Sequence, residues 1–323
     1  MRYRQLGKTG ITVSEIGFGT WGIGGGWGER DDKQAVAALE HALDLGLTFI
    51  DTALAYGEGH SEKLVGDVVR ASGKNVAIAS KVPPKNSVWP ARRGSSLADT
   101  FPRDYVLECT ELSLTNLGLG HLELQQFHVW DDAWAEQDEW LETVQALKSS
   151  GLVRAFGISI NDHEPENVLA ALETGLVDAV QVIYNIFDQT PAARLFPACE
   201  RLGIGVIVRV PLNEGGLTDA ITPDTVFEDG DWRARYFAGE RKQQVYEQTQ
   251  ALDFLLHDGV TNLAEAALRF TLSHPAVSTV IPGMRSPARV DNNVSLSDGK
   301  LLPLADIKKL EAHAWPRNFY RVE

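Results

Sequence analysis

The chain has only two cysteines in 323 residues, Cys109 and Cys199, with no CxxC and no ligand-like spacing, which excludes a disulfide framework and a structural zinc site. It has no apolar run long enough to cross a bilayer, and its start, MRYRQLGKTG, lacks the apolar core of a secretory leader. The expected address is therefore the cytoplasm. Basic residues are in deficit, 30 Lys and Arg against 44 Asp and Glu, for a formal charge of −14. That balance speaks against nucleic acid or an anionic membrane as partner, since both demand a basic surface. Low-complexity segments and linkers are missing as well. With 44% apolar content, residues 1–323 are expected to fold as a single domain around a large core.

What the chain does contain is a repeated strand-then-helix rhythm. Short apolar runs at 16–19, 48–51, 76–81, 122–128, 155–160, 179–184, 205–210 and 279–281 read as strands. Between them, apolar residues at three- and four-residue intervals predict helices at 33–45, 104–117, 139–149, 165–172, 193–202 and 240–256. Eight strands alternating with helices point to an α/β fold, a parallel (β/α)8 TIM barrel in preference to a doubly wound sheet. The first residues, 3–6 and 11–13 around Gly7-Lys8-Thr9-Gly10, read as a β-hairpin that could plug the barrel floor. Two segments break the rhythm, 83–102 with its prolines and 212–239, and both are expected to overhang the C-terminal face as substrate walls or cofactor covers.

Asp51, Lys81 and His128 each fall where an apolar run ends, and Tyr56 lies in the turn just after Asp51. Chemistry in parallel α/β sheets gathers at the carboxyl ends of the strands, so three such ends suggest one shared site. A free phenol, with a pKa of about 10, exchanges protons poorly near neutrality. An ammonium about 4 Å away is worth roughly 4 kcal/mol at an effective dielectric of about 20, or about three pKa units before desolvation subtracts its share. Lys81 is thus expected to bring Tyr56 into the working range, with Asp51 holding Lys81 and His128 hydrogen-bonding the oxygen that receives the proton.

Phe49-Ile50-Asp51-Thr52-Ala53-Leu54-Ala55-Tyr56-Gly57, followed by Ser61-Glu62, resembles the second-strand signature of the aldo-keto reductases, and Lys81 and His128 match that family's lysine and histidine. The similarity runs from Gly17-Phe18-Gly19-Thr20-Trp21 to Ile281-Pro282-Gly283. It implies a nicotinamide cofactor bound by a barrel without a Rossmann domain, NADP(H) with NAD(H) as the alternative. The activity implied is hydride transfer between that cofactor and an aldehyde, ketone or sugar carbonyl, or the corresponding alcohol. By the same resemblance, Gly19, Thr20 and Trp21 border the nicotinamide together with Asp51, and Ser159 and Gln181 hold its carboxamide. The family's usual asparagine after the serine is replaced by Ile160, with Asn161 one place later; neighbouring strand residues face opposite ways, so Asn161 needs a local bend to substitute. Arg209 stands where many relatives carry a stacking tyrosine, and Val210, Leu212 and Gly215 complete the expected contacts after the seventh strand. Arg209 either stacks on the ring or pairs with a carboxylate at the rim.

The adenine end is expected along Ile281, Gly283, Met284, Arg285, Arg289, Asn292 and Asn293, where Pro287 can open a helix whose free amides favour phosphate. Gly283 and Asn292 stand where the family commonly shows lysine and glutamate. Trp21, Trp89 and Trp130 are candidate substrate contacts beside Tyr56 and His128, with Trp27, Trp232 and the tail from Trp315 to Tyr320 as further aromatic lining. Gly17-Phe18-Gly19-Thr20-Trp21-Gly22 matches GxGxxG, but glycines continue to Gly28 and no helix is expected before about Asp31, so the dinucleotide fingerprint is read as a decoy. Two rivals use the same residues: a Schiff-base lyase with Lys81 as nucleophile, and a redox-sensing subunit similar to potassium-channel β subunits. No metal is expected, the partner is a small carbonyl or alcohol, and nothing in the sequence specifies an oligomeric state.

Overall fold

The computed structural model describes residues 1–25 and 30–317. Trp27, Asn318, Phe319 and Tyr320, expected as aromatic lining, lie outside the described residues. Two strands, β1 (Tyr3–Gln5) and β2 (Thr12–Ser14), form an antiparallel hairpin. Eight parallel strands follow: β3 (Phe18–Gly19), β4 (Phe49–Asp51), β5 (Ala77–Val82), β6 (Leu122–Phe127), β7 (Val153–Ser159), β8 (Ala179–Ile183), β9 (Gly205–Arg209) and β10 (Val277–Val280). They pair in chain order from β3 to β10, and parallel bridges Ile16↔Val280 and Gly19↔Gly283 join the last to the first. The sheet therefore closes into the expected (β/α)8 barrel, with no free edge.

Closure explains the glycines of the decoy motif. A Cβ on Gly17 would lie 2.8 Å from the Phe49 ring, and one on Gly19 would lie 2.7 Å from the Ile281 carbonyl, so both positions need glycine for strand packing. One short helical turn, Trp21–Gly24, does form after β3, earlier than expected. It carries no side-chain cap, and the first long helix is Asp32–Asp44, capped by Asp31.

The hairpin seals the amino end. Leu6, Ile11 and Val13 are buried in one cluster with Phe49, Ala77, Ala79, Leu124, Ala155, Ala179 and Ile207, the inward residues of the strands. Arg4 ties the hairpin to the far end of the chain, donating to the carbonyls of Val277 (2.8 Å) and Leu272 (2.9 Å) and to Glu15 (3.0 Å). Thr279 adds a bond to the Ser14 carbonyl at 2.9 Å. Around the barrel, helices pack a second apolar shell, among them His60–Ser72, Arg103–Leu117, Asp138–Ser149, Leu195–Leu202 and Leu263–Ser273.

Two expected helices are shorter than their pattern. The run 165–172 becomes helical only at Leu169–Glu173, because Asp132, from the loop after β6, accepts from the amides of Ala170 (2.8 Å) and Ala171 (3.1 Å) and so sets the first turn there. The run 240–256 splits into Arg241–Gln250 and a 3-10 turn at Asp253–Leu255.

Candidate active site

Asp51 ends β4, Lys81 lies in the last turn of β5, His128 follows β6, and Tyr56 sits in the loop between β4 and the helix His60–Ser72. Lys81 Nζ donates to Asp51 Oδ2 at 2.6 Å, to the Thr52 carbonyl at 2.8 Å and to Tyr56 Oη at 3.3 Å. The ammonium is fully buried and has three oxygen acceptors, which is what a desolvated charge requires. The His128 ring meets Tyr56 edge-on with centroids 5.7 Å apart, and Trp89 from the 83–102 loop meets His128 at 4.5 Å. Gly24 makes room for the loop that carries Tyr56: a Cβ there would lie 2.6 Å from the Tyr56 carbonyl carbon.

Electrostatics in the site differ from the expectation in one respect. Burial raises the Tyr56 hydroxyl above its ordinary value, and Lys81, although it pulls the other way, does not overcome this; Asp51 adds to the rise. Tyr56 is therefore a neutral phenol at neutral pH. Burial pulls Lys81 down, but Asp51 and Tyr56 outweigh it, and the ammonium stays charged above its ordinary range. Burial, with Lys81 and Arg209 nearby, holds His128 well below 6.5, so its ring is neutral. His128 Nδ1 is buried and has no hydrogen-bond partner among the described residues.

Behind the quartet, Asp51 is held from every side. Gln181 Nε2 donates to Asp51 Oδ1 at 2.7 Å, and Gln126 Nε2 approaches the same oxygen at 3.4 Å. Gln126 is a residue the sequence reading passed over. Alternation along β6 puts it on the same face as Leu124 and His128, a signal that was present. Thr20 Oγ1 donates to the Asp51 carbonyl at 3.0 Å and accepts from Ser61 at 2.7 Å. Thr20 is thus near the site, but its buried hydroxyl is committed to holding Asp51, which corrects the expectation of a cofactor contact from that side chain.

Other candidates divide clearly. Ser159, the last residue of β7, and Gln181, in the middle of β8, are register partners, and both are buried. Asn161 is engaged with the 83–102 segment and Trp130: its Oδ1 accepts from the amides of Ala91 and Trp130, both at 3.3 Å, and its Nδ2 donates to the Ala91 carbonyl at 3.0 Å. Trp130 is corrected from substrate wall to core. It is fully buried, packed against Phe127, Trp134 and Trp140, with its indole N–H on Asp132. Trp21 does face the second long loop, meeting Trp232 at 5.5 Å.

Of the two readings for Arg209, the pairing is what the structure contains: Nη2 donates to Asp162 at 2.5 Å and to the Ile160 carbonyl at 2.8 Å. Val210, Asn213, Glu214 and Gly215 all adopt left-handed backbone, which turns the chain sharply past Leu212 at the rim. Glu214, not singled out from the sequence, is pushed up to about 8 by burial and by Asp162. Past β10, Ile281 and Met284 are buried, Gly283 is exposed, and the helix Pro287–Val294 forms with Pro287 in its first turn and Ser286 as cap. Arg289 and Asn292 are exposed on that helix, and Asn293 is buried on it. Arg285 lies against Gly22, whose added Cβ would be 2.9 Å from Arg285 Cδ. An open cavity of about 570 Å³ extends here, lined by Arg285, Ser286 and Arg289 and by Asp31, Gln34, Glu228 and Asp229. Among the described residues no group of His, Cys, Asp or Glu could hold a metal ion, and no helix is long and apolar enough to cross a membrane.

Fold and site together define an α/β-barrel protein with a buried Asp51–Lys81–Tyr56 cluster at the carboxyl ends of its strands. Residues 15–314 match the model of the aldo/keto reductase family, and the chain belongs to that family. It is 31% identical over 300 residues to the aldo-keto reductase YhdN of Bacillus subtilis, covering 90% of this chain and 87% of that protein. It is 30% identical over 312 residues to the NADH-specific methylglyoxal reductase of Escherichia coli, covering 91% and 93%. Among solved structures, the glycerol dehydrogenase of Gluconobacter oxydans superposes with a TM-score of 0.80 at 25% identity, over 96% of this chain and 94% of that one.

Proposed function

We propose that this chain is an NAD(P)H-dependent oxidoreductase that reduces an aldehyde, ketone or sugar carbonyl to the alcohol, with Tyr56 as general acid. The observation that carries this reading is the buried Lys81 ammonium bridging Asp51 and Tyr56 beside a neutral His128. The polar set fits a dinucleotide: Ser159 offers a hydroxyl at the end of β7 and Gln181 an amide oxygen within β8, and Arg285, Ser286 and Arg289 present guanidinium and helix-start donors along the open cavity. Bound there, the dinucleotide supplies the hydride. Tyr56 gives its proton to the carbonyl oxygen, and Lys81 stabilises the phenolate left behind. His128, neutral, can donate a hydrogen bond to the same oxygen without a competing charge. Asp51, fixed by Gln181, keeps Lys81 aimed and protonated.

The protonation pattern supports reduction over oxidation, since oxidation asks Tyr56 to begin as phenolate. It opposes the Schiff-base lyase, which needs a neutral, accessible amine, whereas Lys81 is charged and fully buried. The relatives' names include methylglyoxal reductase and glycerol dehydrogenase, which supports a small oxygenated substrate entering past Trp21 and Trp89.

Tyr56→Phe is expected to lower kcat for carbonyl reduction by about 10²- to 10⁴-fold while leaving the dissociation constant of the dinucleotide nearly unchanged. A panel of aldehydes, ketones and sugars, read by nicotinamide absorbance with both dinucleotides, provides the test. Retained turnover in the variant would refute Tyr56 as the acid.

A further inference from the structure

The cavity beside the helix Pro287–Val294 carries charges of both signs, and that mixture bears on which dinucleotide the chain prefers. The point rests on the cofactor reading above. Arg285 and Arg289 are its basic lining. The acidic lining is Asp31 from the start of the helix Asp32–Asp44 and Glu228 and Asp229 from the long loop after β9. Asp31 is already engaged, since its Oδ1 accepts from the Gln34 amide at 3.0 Å as a helix cap. Glu228 and Asp229 are exposed, and among the described residues they enter none of the ion pairs. The field of Glu228 nevertheless reaches Arg285: burial and Arg233 hold its guanidinium below its ordinary value, while Asp231 and Glu228 support it.

These two sets of charges ask for different ligands. A guanidinium pair suits a 2′-phosphate, which carries close to two negative charges. A carboxylate suits a free 2′-hydroxyl, which can donate a hydrogen bond to it, and repels the phosphate. We propose that Glu228 and Asp229 are selectivity residues of this cavity, accepting from the ribose hydroxyls of the unphosphorylated dinucleotide and opposing the 2′-phosphate, so that preference is a balance against Arg285 and Arg289. The chain then accepts both dinucleotides, and the acidic loop keeps the phosphorylated one from dominating. Glu228 and Asp229 lie on the surface, so neutralising them leaves the barrel core untouched.

Direct binding tests this without turnover. Isothermal titration with NADPH, NADH, adenosine 2′,5′-bisphosphate and 5′-ADP would be run on the wild type, on Glu228→Gln/Asp229→Asn and on Arg289→Ala. The double variant should bind NADPH and the 2′,5′-bisphosphate at least about fivefold more tightly than the wild type, as expected for two exposed charges. NADH and 5′-ADP should bind equally or more weakly. Added salt should shrink the gap, and Arg289→Ala should move the preference the opposite way. Parallel shifts for phosphorylated and unphosphorylated ligands, or no shift, would overturn the role of these carboxylates while leaving the cofactor reading intact. A wild-type protein that binds neither dinucleotide would overturn both.

Discussion

Lys81 has no solvent exposure and its ammonium is shared among Asp51, Thr52 and Tyr56, so removing it would leave Asp51 buried without a counter-charge. Lys81→Met is expected to lower stability in urea unfolding by about 3–5 kcal/mol, and Lys81→Met/Asp51→Leu to recover much of it. A double variant no more stable than the single one would show that the pair is not the source. The pH dependence has a defined sign at each end. Lys81 is raised above 10.5 and Tyr56 above 10.0 in the folded chain, so their contribution is intact at neutral pH and is lost as pH rises through the alkaline range above those values. His128 works in the acid direction: held below 6.5 in the fold, it lets the unfolded chain take up a proton first, so stability falls as pH drops below 6.5. His128→Gln should flatten the acid limb between pH 6.5 and lower values in chemical denaturation, and an unchanged slope would exclude His128 as its cause. At this scale the quartet was legible, because few arrangements place Asp, Tyr, Lys and His at strand ends without chemical purpose. Trp130 was not, since an indole two residues past His128 reads the same whether it faces the mouth or, as here, fills the gap between Phe127 and Trp140.

The two long loops are the elements that shape the mouth, and each is pinned at a different place. Asn161 clamps the 83–102 segment by bonding both the amide and the carbonyl of Ala91, seventy residues away in sequence. Asn161→Ala would leave those buried groups without partners, at a cost of about 1–3 kcal/mol. The loosened loop should raise KM for the carbonyl substrate more than it lowers kcat, and limited proteolysis should cut faster at Lys85, Arg92 or Arg93. Cleavage at the wild-type rate would show that the loop is held elsewhere. Periodicity placed the helices because each buries one apolar stripe, and it failed at 165–172 because a carboxylate from another loop, Asp132, chooses where that helix starts. The loops could be located from their prolines and glycines, but their landing points depend on long-range bonds that no local pattern encodes.

For the whole molecule, counting strands was enough to suggest a barrel, whereas its closure depends on contacts between opposite ends of the chain. Gly17 and Gly19 permit β3 to approach β10, and Arg4 and Thr279 fasten the hairpin beneath it. The glycine run was informative only once its place at that seam was known. Synthesis on a ribosome proceeds from the amino end, so the hairpin and β3 must wait, unpaired on one side, until β10 has left the exit tunnel. Stalled nascent chains ending before Val277 should therefore remain open to protease throughout, and resistance should appear abruptly once that last strand emerges, rather than building up repeat by repeat.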